Sequence, residues 1–176
     1  MNYKLDKQIV HNDVLRNSFI DLAIKTFDLS FKEWYRKGYW TDAYIPYALV
    51  SNNKVIANAS ANIIDLIWQG EPRRYIQIGT VMTDIDHRDK GLAGQLVREI
   101  LTDWQDKADA FFLFANPTTL DFYPKFGFER TAEHQYIMPV VPAAGDFRKL
   151  DMDQPEEVAR LQRYYQKSNP FSQLRV

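Results

Sequence analysis

The sequence predicts a mixed α+β fold, with helices layered on a sheet that is mostly antiparallel. Three observations predict it. Residues 54–67 alternate with a period of two, as a strand does. Residues 92–104 place apolar groups at three- and four-residue spacing, as an amphipathic helix does. Residues 110–115 are apolar throughout, as expected of a strand covered on both faces. A strand, a helical crossover and a second strand make a βαβ-like unit with parallel pairing. The strands before it follow one another as an antiparallel meander.

The elements read in order as follows. Lys7 to His11 is a short first strand, and Asn12 or Asp13 caps the next helix by accepting the unpaired N–H groups of its first turn. Leu15, Phe19, Leu22, Ala23, Thr26 and Phe27 form its apolar stripe. Ser30 followed by Glu33 reads as a capping box for a second short helix that Gly38 ends. Ile45 to Val50 is a strand, and Asn52-Asn53 is a turn pair that tolerates positive φ. In the long strand that follows, Val55, Ala57, Ala59, Ala61 and Ile63 share one face; Ile56, Asn58, Ser60, Asn62 and Ile64 share the other. A turn over Trp68 to Glu71 leads to a strand over Arg74 to Thr83, with Ile76 and Ile78 on one side. The helix over 92–104 and the strand over 110–115 come next. Asn116-Pro117 opens a short helix that Gly127 closes. Phe128 to Met138 supplies one or two last strands. Pro139 to Gly145 reads as a linker, Phe147 to Leu150 as extended chain, and Gln154 to Lys167 as a helix with Val158, Leu161, Tyr164 and Tyr165 on a stripe.

Composition narrows the chemistry. The 176 residues suffice for one domain with a sizeable core. A net charge of -1, from 22 basic and 23 acidic residues, does not mark a nucleic-acid binder. There is no cysteine, which excludes disulfides, thiolate metal sites and cysteine nucleophiles. His11, His87 and His134 lack HxxxH or HExxH spacing, so no metal is expected. The start, MNYKLDKQIVHN, has no apolar signal-peptide core, and no window approaches a membrane span. The expectation is a cytoplasmic protein without membrane or nucleic-acid partners.

The sharpest local signal is VMTDIDHRDKGLAGQL, from Val81 to Leu96. A strand ends near Thr83, a charged turn follows, and Gly91 and Ala93 open the amphipathic helix. Small residues let backbone N–H groups approach a ligand, and a helix N-terminus favours an anion. Phosphate or pyrophosphate suits such a turn. Arg88 and Lys90 can each add a charge-assisted contact of about 1.5–3 kcal/mol. A Walker loop is absent, and Gly91-Leu-Ala-Gly94 is not a dinucleotide fingerprint. An ordinary solvated turn with a helix cap is the competing reading.

This segment resembles the GNAT superfamily of acyl-CoA-dependent N-acetyltransferases, which carries R/Q-x-x-G-x-G/A after its fourth strand. Arg88-Asp-Lys-Gly91-Leu-Ala93 stands in the matching place. Val81 and Thr83 match the approach to it, while His87 and Ile85 stand where an aromatic residue and a proline are common. Asp121-Phe-Tyr123-Pro-Lys-Phe126-Gly-Phe128 is similar to the family's FYxKxGF segment. The resemblance covers about residues 5–140. It implies a GNAT-like α/β/α arrangement with a splayed parallel strand pair. It further implies an acyl-CoA-binding catalytic domain over 1–142 and a C-terminal extension over 143–176. The extension reads as a helical appendage, packing on the domain or on a second subunit of a homodimer, or as the opening of an incomplete module.

The resemblance also implies roles. Met82 and Thr83 would offer backbone groups to the pantetheine arm of acetyl-CoA. Arg88, Asp89, Lys90, Gly91, Leu92 and Ala93 would cradle the pyrophosphate. Asn116 would hydrogen-bond the pantetheine arm, or else cap the helix at Pro117. Tyr123 would protonate the departing CoA thiolate, or else sit in the core with its hydroxyl on a backbone carbonyl. Asp84, Asp86, His87 and His134 are base candidates by residue type, and Gln77 cannot serve. Tyr39, Trp40, Tyr44 and Tyr47 fit an aromatic entrance for an amine or a core edge. The expected activity is transfer of an acetyl or acyl group from acetyl-CoA to a primary amine in a ternary complex, without a metal. A small-molecule or peptide acceptor fits: polyamines, aminoglycosides, amino acids, peptide N-termini and lysine side chains all suit. A non-catalytic acyl-CoA-binding module, and an interaction domain that keeps only the fold, are the alternatives.

Overall fold

In a computed structural model, residues 3–132, 137, 139, 141, 144–166 and 174–175 are described. Two apolar layers cover opposite faces of one sheet. Strands β1 (Lys4–Asp6), β2 (Tyr44–Ser51), β3 (Lys54–Trp68), β4 (Glu71–Thr83) and β5 (Ala110–Phe112) lie in that order. All neighbours are antiparallel except β4 and β5, which run parallel. Helices α1 (Asp13–Phe27) and α2 (Lys32–Arg36) precede β2, and α3 (Leu92–Trp104) crosses from β4 to β5. The expected α/β/α layering with a mostly antiparallel sheet is present.

Side-chain alternation explains the layers. Ala48 packs with Leu15, Phe19 and Ala23 of α1, while its neighbours Tyr47 and Leu49 pack with Leu96, Val97 and Ile100 of α3. Both cores are built of buried apolar side chains, and such burial is the main favourable term in folding. The strict two-faced reading of β3 fails at one end. A bulge lies where Leu49 pairs with Ala57 and Val50 with Val55. The extra residue, Ile56, joins the α3 core with Ala57, and Val55 turns to the α1 core.

Three local expectations also change. The first strand is Lys4–Asp6, not Lys7–His11: Asp6 accepts the Gln8 N–H at 2.7 Å, and Ile9–His11 becomes a 3₁₀ turn. The capping box at Ser30 does not form. Phe31 holds the N-cap position because its ring lies 5.3 Å from that of Phe19, so Glu33 sits one residue early and pairs with Arg36 instead. The apolar run 110–115 pairs only as far as Phe112, and Phe114 is 75% exposed.

Beyond Gly127, residues 128–132 form no strand; the remainder of the expected strands, to Met138, lies mostly outside the described residues. Helix α4 (Pro155–Gln166) matches the expected C-terminal helix, but Leu161 and Tyr164 of its stripe are exposed. Residues 147–150 form no strand. Lys37 bonds Asp153 at 2.7 Å, and β6 (Leu174–Arg175) pairs with Ile67 and Trp68 of β3.

Candidate active site

The cleft originates in strand pairing. Tyr75, Ile76 and Gln77 of β4 pair with Ala110, Phe111 and Phe112 of β5, and there the ladder stops. Strand β4 continues to Thr83 while the chain after β5 turns away. The gap is a cleft of about 740 Å³. Ile78 to Thr83 form its floor, the start of α3 stands at its mouth, and Phe114, Asn116, Phe122 and Tyr123 form a wall. Thr26 and Phe27, at the end of α1, reach it as well.

At its mouth, β4 hands over to Asp84, a 3₁₀ turn over Ile85–His87, and extended Arg88. Asp89 (φ 60°) and Gly91 (φ 73°) are both left-handed. Gly91 is the N-cap of α3 and has no side chain to satisfy the first turn. Among the described residues no acceptor takes the N–H groups of Asp89 to Ala93, and a Cβ on Gly91 would meet nothing within 4 Å. The donors are therefore unspent beside open space. An anion supplies what the helix end lacks.

Met82, Thr83, Arg88, Asp89, Gly91, Leu92, Ala93, Asn116 and Tyr123 all line this cleft. Lys90 does not: its Nζ folds back to the Asp86 carbonyl at 2.9 Å. Asn116 makes no side-chain cap bond to the 3₁₀ turn over Pro117–Thr119, so its amide stays available. The Tyr123 hydroxyl hydrogen-bonds no described group, and burial pushes its pKa up, which keeps the phenol protonated. No carbonyl among the described residues accepts from it.

The base candidates separate. Asp84 is buried and committed elsewhere. It accepts from Lys54 Nζ at 2.9 Å and from the Asp86 N–H at 3.2 Å, and the Lys54 ammonium holds its carboxyl below the ordinary range. It anchors the turn and, with exposed Asp86, lies outside the cleft lining. His87 lines the cleft; its Nδ1 is buried without a hydrogen bond, 3.8 Å from Asp84 Oδ1. Gln77 stays in the paired part of β4, where its carbonyl accepts from Asn62. His134 lies outside the described residues. Tyr44 and Trp40 belong to an aromatic cluster with Phe19, Phe31 and Trp34, and Tyr47 donates to Asp103 in the other core. Exposed Tyr39 lines nothing in the cleft. These four rings do not form an entrance.

Sequence reasoning missed Thr80. It sits at φ 49° in the cleft floor, where β4 places two residues, Thr80 and Val81, against Ala59 of β3. A left-handed conformation in a β-branched residue costs on the order of 1–3 kcal/mol. Glycine usually takes that position in a bulge. Here Gly79 is one residue too early, held free of a side chain because a Cβ would lie 3.1 Å from Asn62 Nδ2. Thr80 is held by a buried chain of bonds. Asn58 Nδ2 donates to the Thr80 carbonyl and to Ser60 Oγ, Ser60 donates to the Tyr44 hydroxyl, and Tyr44 donates to Thr80 Oγ1, each at 2.9 Å. The signal available in the sequence was the polar pair Asn58 and Ser60 among the alanines of a strand.

A splayed parallel pair with an uncapped helix at its mouth defines an acyltransferase-type fold. The sequence matches the family described as acetyltransferase (GNAT) domain over residues 12–131. The chain belongs to that family. A search of curated proteins finds no significant sequence match. Solved structures share the fold. An acetyltransferase from Trypanosoma brucei superposes with TM-score 0.63 at 20% identity, over 79% of this chain and 100% of its own. Glucosamine-6-phosphate N-acetyltransferase from Arabidopsis thaliana gives 0.62 at 18% identity, over 78% and 99%. A predicted acetyltransferase from Clostridium acetobutylicum, solved with acetyl-CoA, gives 0.60 at 19% identity, over 78% and 95%.

Proposed function

We propose that this chain moves an acetyl group from acetyl-CoA to a primary amine by direct attack within a ternary complex. The observation that carries the reading is the run of unspent N–H groups from Asp89 to Ala93 at the mouth of the cleft. Those donors, with Arg88, suit the pyrophosphate of CoA. Residues Met82 and Thr83 along the floor and Asn116 on the wall suit the pantetheine arm. The Clostridium structure, which shares this fold, was solved with acetyl-CoA, and that supports the choice of ligand.

In the reaction, the amine nitrogen donates its lone pair to the thioester carbonyl carbon, and a C–N bond forms. Negative charge gathers on the carbonyl oxygen, where a main-chain N–H near Met82 or Thr83 stabilises it. The C–S bond then breaks. Tyr123, neutral because it is half-buried, gives its proton to the thiolate. The proton shed by nitrogen passes to solvent and the phenolate is reprotonated from solvent.

Isothermal titration with acetyl-CoA tests the ligand, and saturable binding is expected. Absence of heat at millimolar ligand with folded protein ends the proposal. Tyr123→Phe is expected to lower kcat by about 100-fold while leaving acetyl-CoA affinity intact. Binding of acetyl-CoA without thiol release against any amine would favour a non-catalytic acyl-CoA module instead.

A further inference from the structure

We infer that Tyr44 and Asn58 are positioning residues, which hold Thr80 in its left-handed conformation and so set the main chain of the cleft floor for acyl transfer. The inference deepens the acetyltransferase reading and rests on it. Thr80 cannot hold this conformation cheaply by itself, since its β-branched side chain crowds the backbone at positive φ. Two contacts, from two different strands, fix it from both sides. Tyr44 of β2 donates to its hydroxyl and Asn58 of β3 donates to its carbonyl. Ser60 links the two donors, accepting from Asn58 and donating to Tyr44.

The three donors are buried. Asn58 and Ser60 are 0% exposed and Tyr44 7%. Burial pushes the Tyr44 phenol up to about 12, so it stays a donor across the working pH range. Hydrogen bonds chained in this way polarise one another. None of the three lines the cleft, whereas Thr80, Val81 and Met82 all do. Their side-chain hydrogen bonds meet the cleft lining at Thr80. The bulge takes Thr80 and Val81 out of one-to-one pairing with β3, so the direction of the next main-chain groups depends on how Thr80 is held.

Glycine at position 80 provides the test, because it adopts positive φ without being held. Thr80→Val keeps the β-branch and loses the hydroxyl. Four variants, Tyr44→Phe, Thr80→Val, Thr80→Gly and Tyr44→Phe/Thr80→Gly, are compared with wild type in three measurements. These are acetyl-CoA affinity by titration, kcat and KM with the best amine of a panel, and the carbonyl resonance of acetyl-CoA labelled with carbon-13 at that carbon. Tyr44→Phe and Thr80→Val should lose about 10- to 100-fold in kcat, at little change in KM for acetyl-CoA, with the carbonyl resonance moved toward its free value. Thr80→Gly should lose less than Thr80→Val, and the double variant should recover turnover and resonance relative to Tyr44→Phe. If Tyr44→Phe alone does not fold, recovery of a folded double variant with the wild-type resonance reads the same point. A double variant no better than Tyr44→Phe, or Thr80→Gly as poor as Thr80→Val, overturns the inference while leaving the acetyltransferase reading intact. Wild-type protein that does not bind acetyl-CoA overturns both.

Discussion

Helices α1 and α3 begin in opposite ways. At α1, Asn12 turns its side-chain oxygen onto the N–H groups of Val14 and Leu15, at 3.0 and 3.2 Å. At α3, Gly91 offers no side chain, and the first-turn donors face open space. Both ends have the same need, because each helix leaves its leading N–H groups without partners. One chain segment meets the need itself, and the other leaves its donors open. A helix start that the sequence could have capped and did not is informative when it stands at the mouth of a cleft.

Altering each end in turn breaks or sharpens that contrast. The largest effect is expected from Gly91→Val. A branched side chain at φ 73° is strained by about 1–3 kcal/mol, and it would project into the space beside the donors. Titration should show acetyl-CoA binding abolished while the thermal transition falls only modestly. Retained affinity would mean that the turn does not hold the pyrophosphate. Arg88→Ala comes next. Loss of one charge-assisted contact should weaken acetyl-CoA by about 1.5–3 kcal/mol, and the loss should shrink as salt is raised. Lys90→Ala serves as its comparison, since Lys90 points back to Asp86 and should matter less.

Asn12→Ala should do the reverse of Gly91→Val. It removes a working cap, so stability should fall by about 1 kcal/mol in urea unfolding, with acetyl-CoA affinity unchanged. The smallest effect is expected at the turn's anchor. Lys54 lowers the pKa of Asp84 in the folded state, so the stability it supplies is present above the unfolded value of about 3.9 and lost as pH falls through the folded one. Lys54 is half-exposed, which limits the pair to about 0.5 kcal/mol. The stability gap between wild type and Lys54→Met should be measurable near neutral pH and close in acid. A gap that widens in acid would show that Asp84 is not the group concerned.

Short-range chemistry was readable residue by residue. Asn52 and Asn53 do adopt positive φ, as do Gln69 and Gly70 in the next turn. The stripe through Leu92, Leu96, Val97 and Ile100 does face the core. Each of these follows from a few neighbouring residues. The errors share a different cause. Phe31 moved the start of α2 because an aromatic cluster claimed its ring, and the Ile56 bulge redirected Val55 because β2 and β3 had to pair around it. The strand over 110–115 stopped early because β4 diverges from it.

The candidate site divides along the same line. The linear sequence made the turn from Arg88 to Ala93 legible, and Tyr123 came from the family resemblance alone. A left-handed glycine, small neighbours and a helical stripe are local properties, and a one-dimensional reading captures them. Only the tertiary structure decided that Lys90 turns away, that Asp84 is an anchor, and that Thr80 is clamped from two strands. The last two depend on residues 22 to 36 positions apart meeting where the strands pack. There a polar group takes whichever partner the packing of the sheet brings to it.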